Sequence, residues 1–258
     1  MLRFDDATLA ILEECYRGRD FQKRRATNLA ALSPAPGATI CDLGCGNGML
    51  TEDLSRAVGG AGQVIGVDPS PEMLASAKAR CASLGNVRLM EGTAEAIPLP
   101  DRSVDGLLSL QVMEYVARID KGLAECARIL RPGGRLVIGD MLFSSLIWRS
   151  DDPGRMARFN AHWAEHVAWT DLPQRLPEAI VAAGLVVEDI APLTFLDAEL
   201  RPDGIAAMML ILIEAYVIQN GLASKEEAAD WRAEQVALAR DGRFFFALTH
   251  VVTTARKP

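Results

Sequence analysis

Short apolar runs alternate with segments of helix length through most of this chain. The runs are residues 38–43, 63–68, 86–91, 104–110, 135–140 and 185–190. Between them, residues 49–58, 71–84, 120–130 and 172–183 place apolar side chains at helical spacing. Strands that alternate with helices imply βαβ units, hence a mostly parallel sheet covered on both faces. Ser70-Pro71 is a good helix start, because Ser caps and Pro loses nothing at the first helical position. Behind it Met73, Leu74, Ala77, Cys81 and Leu84 recur on one face. Pro132-Gly133-Gly134 stops the next helix and turns the chain into a strand.

The two ends and two insertions depart from that rhythm. Residues 8–31 read as helical with a break near Gly18, and Pro34-Ala35-Pro36-Gly37 punctuates the chain after them. Residues 244–254 are β-branched and aromatic and predict a strand, but no crossover helix follows to set its direction. Residues 203–220 and 225–240 form a helical insertion. A second one, 144–170, carries Trp148, His162, Trp163, His166 and Trp169. Insertions after the fifth and sixth strands belong near the carboxyl edge of the sheet, where open α/β folds bind ligands. The expected organisation is therefore an N-terminal helical cap over residues 1–33. One α/β domain follows over 34–258, with lid insertions at about 144–170 and 203–240.

Composition narrows the function. The chain has 258 residues, with 27 Lys+Arg against 34 Asp+Glu and a net charge of −7. That balance argues against a disordered chain and against a strongly basic nucleic-acid binder. The start lacks an apolar signal core. The most apolar stretch, residues 206–213, falls short of the roughly 20 residues needed to span a bilayer. No membrane or nucleic-acid partner is expected. Cysteines 15, 41, 45, 81 and 126 make no C-x-x-C pair, so neither a metal site nor a disulfide framework is expected. A reducing, cytoplasmic setting fits, with Cys41, Cys81 and Cys126 as small core residues.

The segment Asp42-Leu43-Gly44-Cys45-Gly46-Asn47-Gly48 joins the first strand to the first crossover helix. Glycines there let backbone approach a ligand and adopt positive φ. One βαβ unit on, Val64-Ile65-Gly66-Val67-Asp68 ends its strand with an acid, placed to accept hydrogen bonds from ribose hydroxyls. The spacing is G-x-G-x-G, and Met49 holds the third dinucleotide-type position. That favours a nucleoside without phosphates over a pyrophosphate. A tight strand–helix turn with no ligand is the bland alternative.

In these motifs the chain resembles the class I S-adenosylmethionine-dependent methyltransferase superfamily. It is most similar to the small-molecule branch that holds the ubiquinone/menaquinone C-methyltransferases and arsenite methyltransferases. The matching residues span about 29–193: the loop 42–48, Val67-Asp-Pro-Ser-Pro-Glu-Met73, residues 91–101, Ser103-Val-Asp105 and Ala127-Arg-Ile-Leu-Arg-Pro-Gly-Gly134. The resemblance implies a Rossmann-like, doubly wound seven-stranded sheet, with the last strand antiparallel between strands five and six. It implies S-adenosylmethionine as cofactor and a small-molecule acceptor. It assigns Gly44, Cys45, Gly46 and Gly48 to the methionine part, Asp42 to loop orientation and the amino group, and Asp68 with Pro69 to the ribose. It sets Ser70 and Met73 beside the adenine, Thr93, Ala94 and Glu95 along the adenine edge, and Gln111 by the methionyl group. Thr93 stands where the family often has Asp, and Tyr115 where it often has His. The arsenite enzymes' thiol ligands are not recognisable.

Methyl transfer asks mainly for alignment, because the sulfonium already activates the methyl group. A base is needed only where the acceptor must lose a proton. His162 and His166 are candidates for it. The run His162-Trp-Ala-Glu165-His166 also spells H-x-x-E-H, a metal-protease pattern in the wrong fold. An aromatic lid helix is the plain alternative for both. Tyr115 is a candidate acceptor or cofactor contact, and Arg17 or Arg25 could meet the cofactor carboxylate. His250, mid-strand, reads as structural. The segment 203–220 is apolar nearly all round, so it is buried in the domain, in a lid or in a homodimer interface. Glu214 is its odd polar residue, expected in a salt bridge. Transfer to a small, largely apolar or aromatic metabolite is expected, O-methylation ahead of N- or C-methylation. The alternatives are a cofactor-binding scaffold without transfer, or aminopropyl or carboxymethyl chemistry.

Overall fold

The computed structural model describes residue 11 and residues 14–258. Its strands are β1 (Thr39–Leu43), β2 (Gln63–Asp68), β3 (Val87–Glu91), β4 (Val104–Leu110), β5 (Leu130–Trp148), β6 (Val186–Asp197) and β7 (Phe246–Arg256). Its helices are α1 (Arg19–Leu32), α2 (Met49–Val58), α3 (Pro71–Arg80), α4 (Ile119–Ile129), α5 (Pro153–Ala164), α6 (Leu172–Ala182), α7 (Ile205–Gln219) and α8 (Lys225–Arg240). The sheet has seven strands in the order β3-β2-β1-β4-β5-β7-β6. Strands β1 to β5 pair in parallel, with Leu43 opposite Val67 on one side and Ser109 on the other. The last strand inserts between β5 and β6 and runs antiparallel. Gly133 N–H donates to the Lys257 carbonyl at 2.8 Å and Arg149 N–H to that of Phe245 at 2.9 Å, so numbers rise along β5 as they fall along β7.

The described residues fall into two compact units. One holds Arg25–Met141, Asp171–Pro192 and Val251–Pro258. Its core joins Ile40, Val64, Leu108 and Val137 from four strands to Leu50, Leu54 and Val58 on one face of α2. The central strands are sealed on both faces, which is why their sequences read as continuous apolar runs. The other unit holds the residues up to Arg24 with Leu142–Thr170 and Leu193–His250. Trp148, Phe159, Trp231 and Phe246 pack there with ring centroids 5.0–5.5 Å apart. The Trp148 indole N–H reaches Gln235 Oε1 at 2.9 Å, so burying that ring leaves no orphan donor. Helix α7 buries Ile205, Ala206, Met208, Met209, Leu210, Ile213 and Val217. Its apolar surface is thus largely covered within its own chain, and Glu214 meets Arg232 at 2.5 Å.

Several boundaries differ from the sequence pattern. Strand β5 continues past Asp140 to Trp148, so the first part of the segment 144–170 is sheet and only Pro153–Ala164 is helix. Strand β6 runs through Pro192 to Asp197. It lies at the sheet edge, where a missing N–H can face outward. Helix α3 stops at Arg80 rather than Leu84, its last turn closed by Cys81 N–H on the Ala77 carbonyl. The expected helix over 8–31 begins outside the described residues. What is described of it breaks at Gly18, where a Cβ would lie 2.1 Å from the Asp203 carbonyl oxygen. All five cysteines are free and buried, and burial pushes the Cys126 thiol up to about 12. Strand β7 begins at Phe246 rather than at Phe244; ahead of it Phe244 is buried and Phe245 is 37% exposed.

Candidate functional site

A cleft of about 650 Å³ opens at the carboxyl ends of β1, β2 and β4, within the unit built on Arg25–Met141. Gly44, Gly46, Asp68, Pro69, Thr93, Ala94, Glu95, Gln111 and Tyr115 line it, together with Leu43, Val67 and Val112. Nine expected site residues, from four separate loops, thus meet at one surface. The volume suits a nucleoside-sized ligand.

The glycine loop is shaped by contacts inside the protein. Gly44 and Cys45 N–H both donate to the Val67 carbonyl, at 2.7 and 3.1 Å. Gly48 N–H donates to the Cys45 carbonyl at 3.0 Å, and Gly46 N–H to Asp68 Oδ2 at 2.9 Å. Four loop amides are therefore already engaged, and the loop is a poor anion cradle. Gly44 adopts φ +73° with Val112 Cγ2 only 2.2 Å from where a Cβ would stand. Nothing lies within 4 Å of a Cβ built on Gly46, which leaves that face open to a ligand. Gly44→Ala is expected to disrupt the loop by both strain and overlap, abolishing ligand binding at the cleft. Calorimetric titration beside thermal denaturation checks this. A variant that binds like wild type would remove Gly44 from the design of the site.

Asp68 is the hub of this corner. Besides Gly46 N–H it accepts Ser70 N–H on Oδ1 at 2.9 Å. Each carboxylate oxygen keeps a further lone pair for a ligand hydroxyl. Sequence spacing placed this acid at the cleft but gave no sign that it also ties the glycine loop to the end of β2. Asp42 is buried, and its Oδ2 accepts the Thr51 hydroxyl at 2.5 Å. Burial raises its carboxyl to about 7, with the Thr51 bond opposing and the Asp68 charge adding to the shift. Cys45 is buried beside the loop, and burial pushes its thiol far up.

Other expected residues lie differently. Ser70 caps α3, accepting Met73 N–H at 3.2 Å and donating to Glu72 at 2.8 Å, and Met73 is 41% exposed. Asp42, Cys45, Gly48, Ser70 and Met73 are not among the residues lining the cleft. Arg25 pairs with Asp53 at 3.1 Å, and Arg17 is exposed. Tyr115 lines the cleft and is 47% exposed. Glu95 accepts Arg118 N–H at 3.2 Å.

The two histidines lie in the unit built on Leu142–Thr170 and Leu193–His250. His166 stacks on Trp163 at 3.7 Å and meets Phe143 edge-on at 5.5 Å. Its Nδ1 bonds the Trp163 carbonyl. A carbonyl only accepts, so in the neutral ring Nδ1 carries the proton and Nε2 the lone pair. Burial lowers its pKa, with the Trp163 bond opposing. His162 pairs with Glu165 at 3.5 Å. Nearby, Phe143, Leu146, Asn160, Trp163 and Thr170 line a cavity of about 190 Å³. His250 is buried mid-strand, and burial holds it neutral, well below the usual imidazole value. Among the described residues no group of three or more His, Cys, Asp or Glu could hold a metal ion, and no helix is long and apolar enough to cross a membrane.

Sequence pattern alone missed Glu114 and Asp140. Both are fully buried, Glu114 in the turn after β4 and Asp140 where the parallel part of β5 ends. Buried acids among apolar residues, in Gln111-Val-Met-Glu114 and Val137-Ile-Gly-Asp140, were the only available signal.

Residues 41–138 match the family model described as a methyltransferase domain. A 37.1 kDa protein in transposon TN4556 of Streptomyces fradiae is 34% identical over 178 residues, 68% of this chain and 52% of that one. A ubiquinone biosynthesis O-methyltransferase of Sinorhizobium medicae is 30% identical over 184 residues, 67% of this chain and 66% of that one. Among solved structures, the YcgJ protein of Bacillus subtilis matches with a TM-score of 0.63 at 21% identity, over 92% of this chain and 98% of that one, a likeness of fold. The chain spans about half the length of the first curated relatives it matches. With the sheet order and the loop geometry, these findings assign the chain to the class I S-adenosylmethionine-dependent methyltransferases.

Proposed function

We propose that this chain transfers the methyl group of S-adenosylmethionine to a hydroxyl of a small, largely apolar or aromatic acceptor. The cofactor's residues fit the cleft: an acid at the end of β2 for the ribose, an open glycine face at Gly46, and apolar walls from Leu43, Val67 and Val112. When bound, the cofactor supplies a methyl group activated by positive sulfur. In this reading Asp68 holds the ribose hydroxyls, with Pro69 beside it. Thr93, Ala94 and Glu95 meet the adenine edge, flanked by Ser70 and Met73. Gly44, Cys45, Gly46 and Gly48 border the methionine part, and Gln111 faces it. Asp42 orients the loop and answers the cofactor's ammonium, whose charge would offset the burial that raises that carboxyl.

The observation that carries O-methylation is the state of His166. Burial holds its pKa below the usual imidazole value, so the ring is neutral at pH 7, the form a general base requires. His162 and Tyr115 are the secondary candidates for acceptor contact. The aromatic setting of His166, with Trp163, Phe143 and a ring-sized cavity, supports an aromatic acceptor. The test is calorimetric titration with S-adenosylmethionine and S-adenosylhomocysteine, then an acceptor screen read as S-adenosylhomocysteine release. Turnover on phenols or apolar alcohols is the expected result. Turnover confined to amines or carbon acids would overturn the O-methylation reading, and failure to bind either ligand would overturn the cofactor assignment.

A further inference from the structure

Asp140 and Glu114 exchange hydrogen bonds between strand β5 and the turn that follows β4. Asp140 Oδ1, at the end of the parallel part of β5, accepts Val112 N–H at 3.0 Å. Glu114 Oε2, in the turn Met113–Tyr115 after β4, accepts Met141 N–H at 3.0 Å. Each carboxylate therefore holds backbone of the other's segment: Asp140 the turn after β4, and Glu114 the strand β5 just beyond Asp140. Both side chains are fully buried. Burying a carboxylate is costly, and charge-assisted bonds to backbone amides are the usual offset.

What the exchange holds is strained. Gln111, directly before Val112, sits at φ +58°, a region that non-glycine residues seldom enter. Its own N–H is tied to the Gly139 carbonyl at 2.7 Å. Beyond it, Val112 lies against Gly44, its Cγ2 filling the space a side chain there would need. Gln111, Val112, Tyr115 and Gly44 all line the cleft. Strain of this kind persists only where surrounding contacts over-determine it.

We propose that Asp140 and Glu114 are positioning residues for the cofactor cleft, holding the segment Gln111–Tyr115 in its strained form so that Gln111 and Val112 present a fixed wall beside Gly44. This rests on reading the cleft as the S-adenosylmethionine site. Neither carboxylate needs to touch the ligand.

A double-mutant cycle on cofactor affinity tests it, because glycine adopts positive φ without being held. Asp140→Ala is expected to raise the dissociation constant for S-adenosylhomocysteine about tenfold or more in the wild-type background. In a Gln111→Gly background the same change is expected to cost threefold or less, on the order of the residual cost of an unpaired amide. Glu114→Gln, which keeps a carbonyl acceptor for Met141 N–H, is expected to bind within about threefold of wild type, and Glu114→Ala to follow Asp140→Ala. Amide hydrogen exchange on the free protein supplies the second readout, with residues 112–116 protected in wild type and losing protection in Asp140→Ala. An equal loss of affinity in both backgrounds would mean ordinary destabilisation and overturn the proposal, as would an unchanged affinity in Asp140→Ala. Should Asp140→Ala not fold, the cycle run with Glu114→Ala decides by the same criterion. Protection lost on schedule in a protein whose wild type binds no cofactor would instead defeat the cofactor reading, and this role for the pair with it.

Discussion

Replacing Asp68 with Ala is expected to weaken S-adenosylmethionine binding by about 1–3 kcal/mol, roughly 5- to 150-fold, because ribose hydroxyls would lose a charged acceptor. The structure moves the expectation toward the upper end. Asp68 also accepts Gly46 N–H and Ser70 N–H, each at 2.9 Å, so its removal releases two loop amides along with the ligand contact. Asp68→Asn separates the parts. It keeps one acceptor oxygen and loses the charge, and its affinity should fall between wild type and Asp68→Ala. Calorimetric titration of the three proteins, with thermal denaturation alongside, is the measurement. Equal affinities across the series would remove Asp68 from ribose recognition.

Replacing His166 with Ala is expected to lower turnover about 10²- to 10⁴-fold, the usual worth of a positioned base, while cofactor affinity stays near wild type. The pH dependence has a definite sign. Burial puts the His166 pKa below the usual imidazole value of about 6.5, so the ring is neutral at pH 7 with its proton on Nδ1. As pH falls through that lowered value, the ring takes a second proton and can no longer accept one from a hydroxyl. Turnover should therefore hold from pH 7 upward and decline on the acid side, with the decline absent from the residual activity of His166→Ala. A variant that keeps full turnover and the same acid limb would sink His166 as the base.

Much of the architecture was legible because a sheet sealed on both faces leaves a plain mark on sequence. Runs such as Val104–Leu110 are largely apolar because β4 is central, and Ser70-Pro71 announces α3 through capping chemistry alone. The ends of β5 and β6 were not legible. Whether Leu142–Trp148 continues a strand depends on β7 pairing beside it, a contact between residues about a hundred positions apart. Beyond the apolar run 185–190, β6 continues through Pro192, which an edge strand tolerates.

The candidate site divides along the same line. Gly44, Gly46 and Asp68 declare themselves through backbone freedom and spacing, since both are properties of the local chain. Glu114 and Asp140 do not, because their purpose lies in amides of the other's segment, and only the pairing of β4 with β5 brings the turn after β4 beside β5. His166 stands between the two cases. Sequence supplied an imidazole on an aromatic segment. Which nitrogen carries the proton, and that burial keeps the ring neutral, were decided by the Trp163 carbonyl and the packing around it. The sequence by itself determined the alternating βαβ order, the glycine loop and its acid, because these are written in local pattern. The place of the antiparallel strand, the engagement of the loop amides and the clamp behind Gln111 were decided only by tertiary structure, because hydrogen bonds between distant segments leave no periodic trace in the chain.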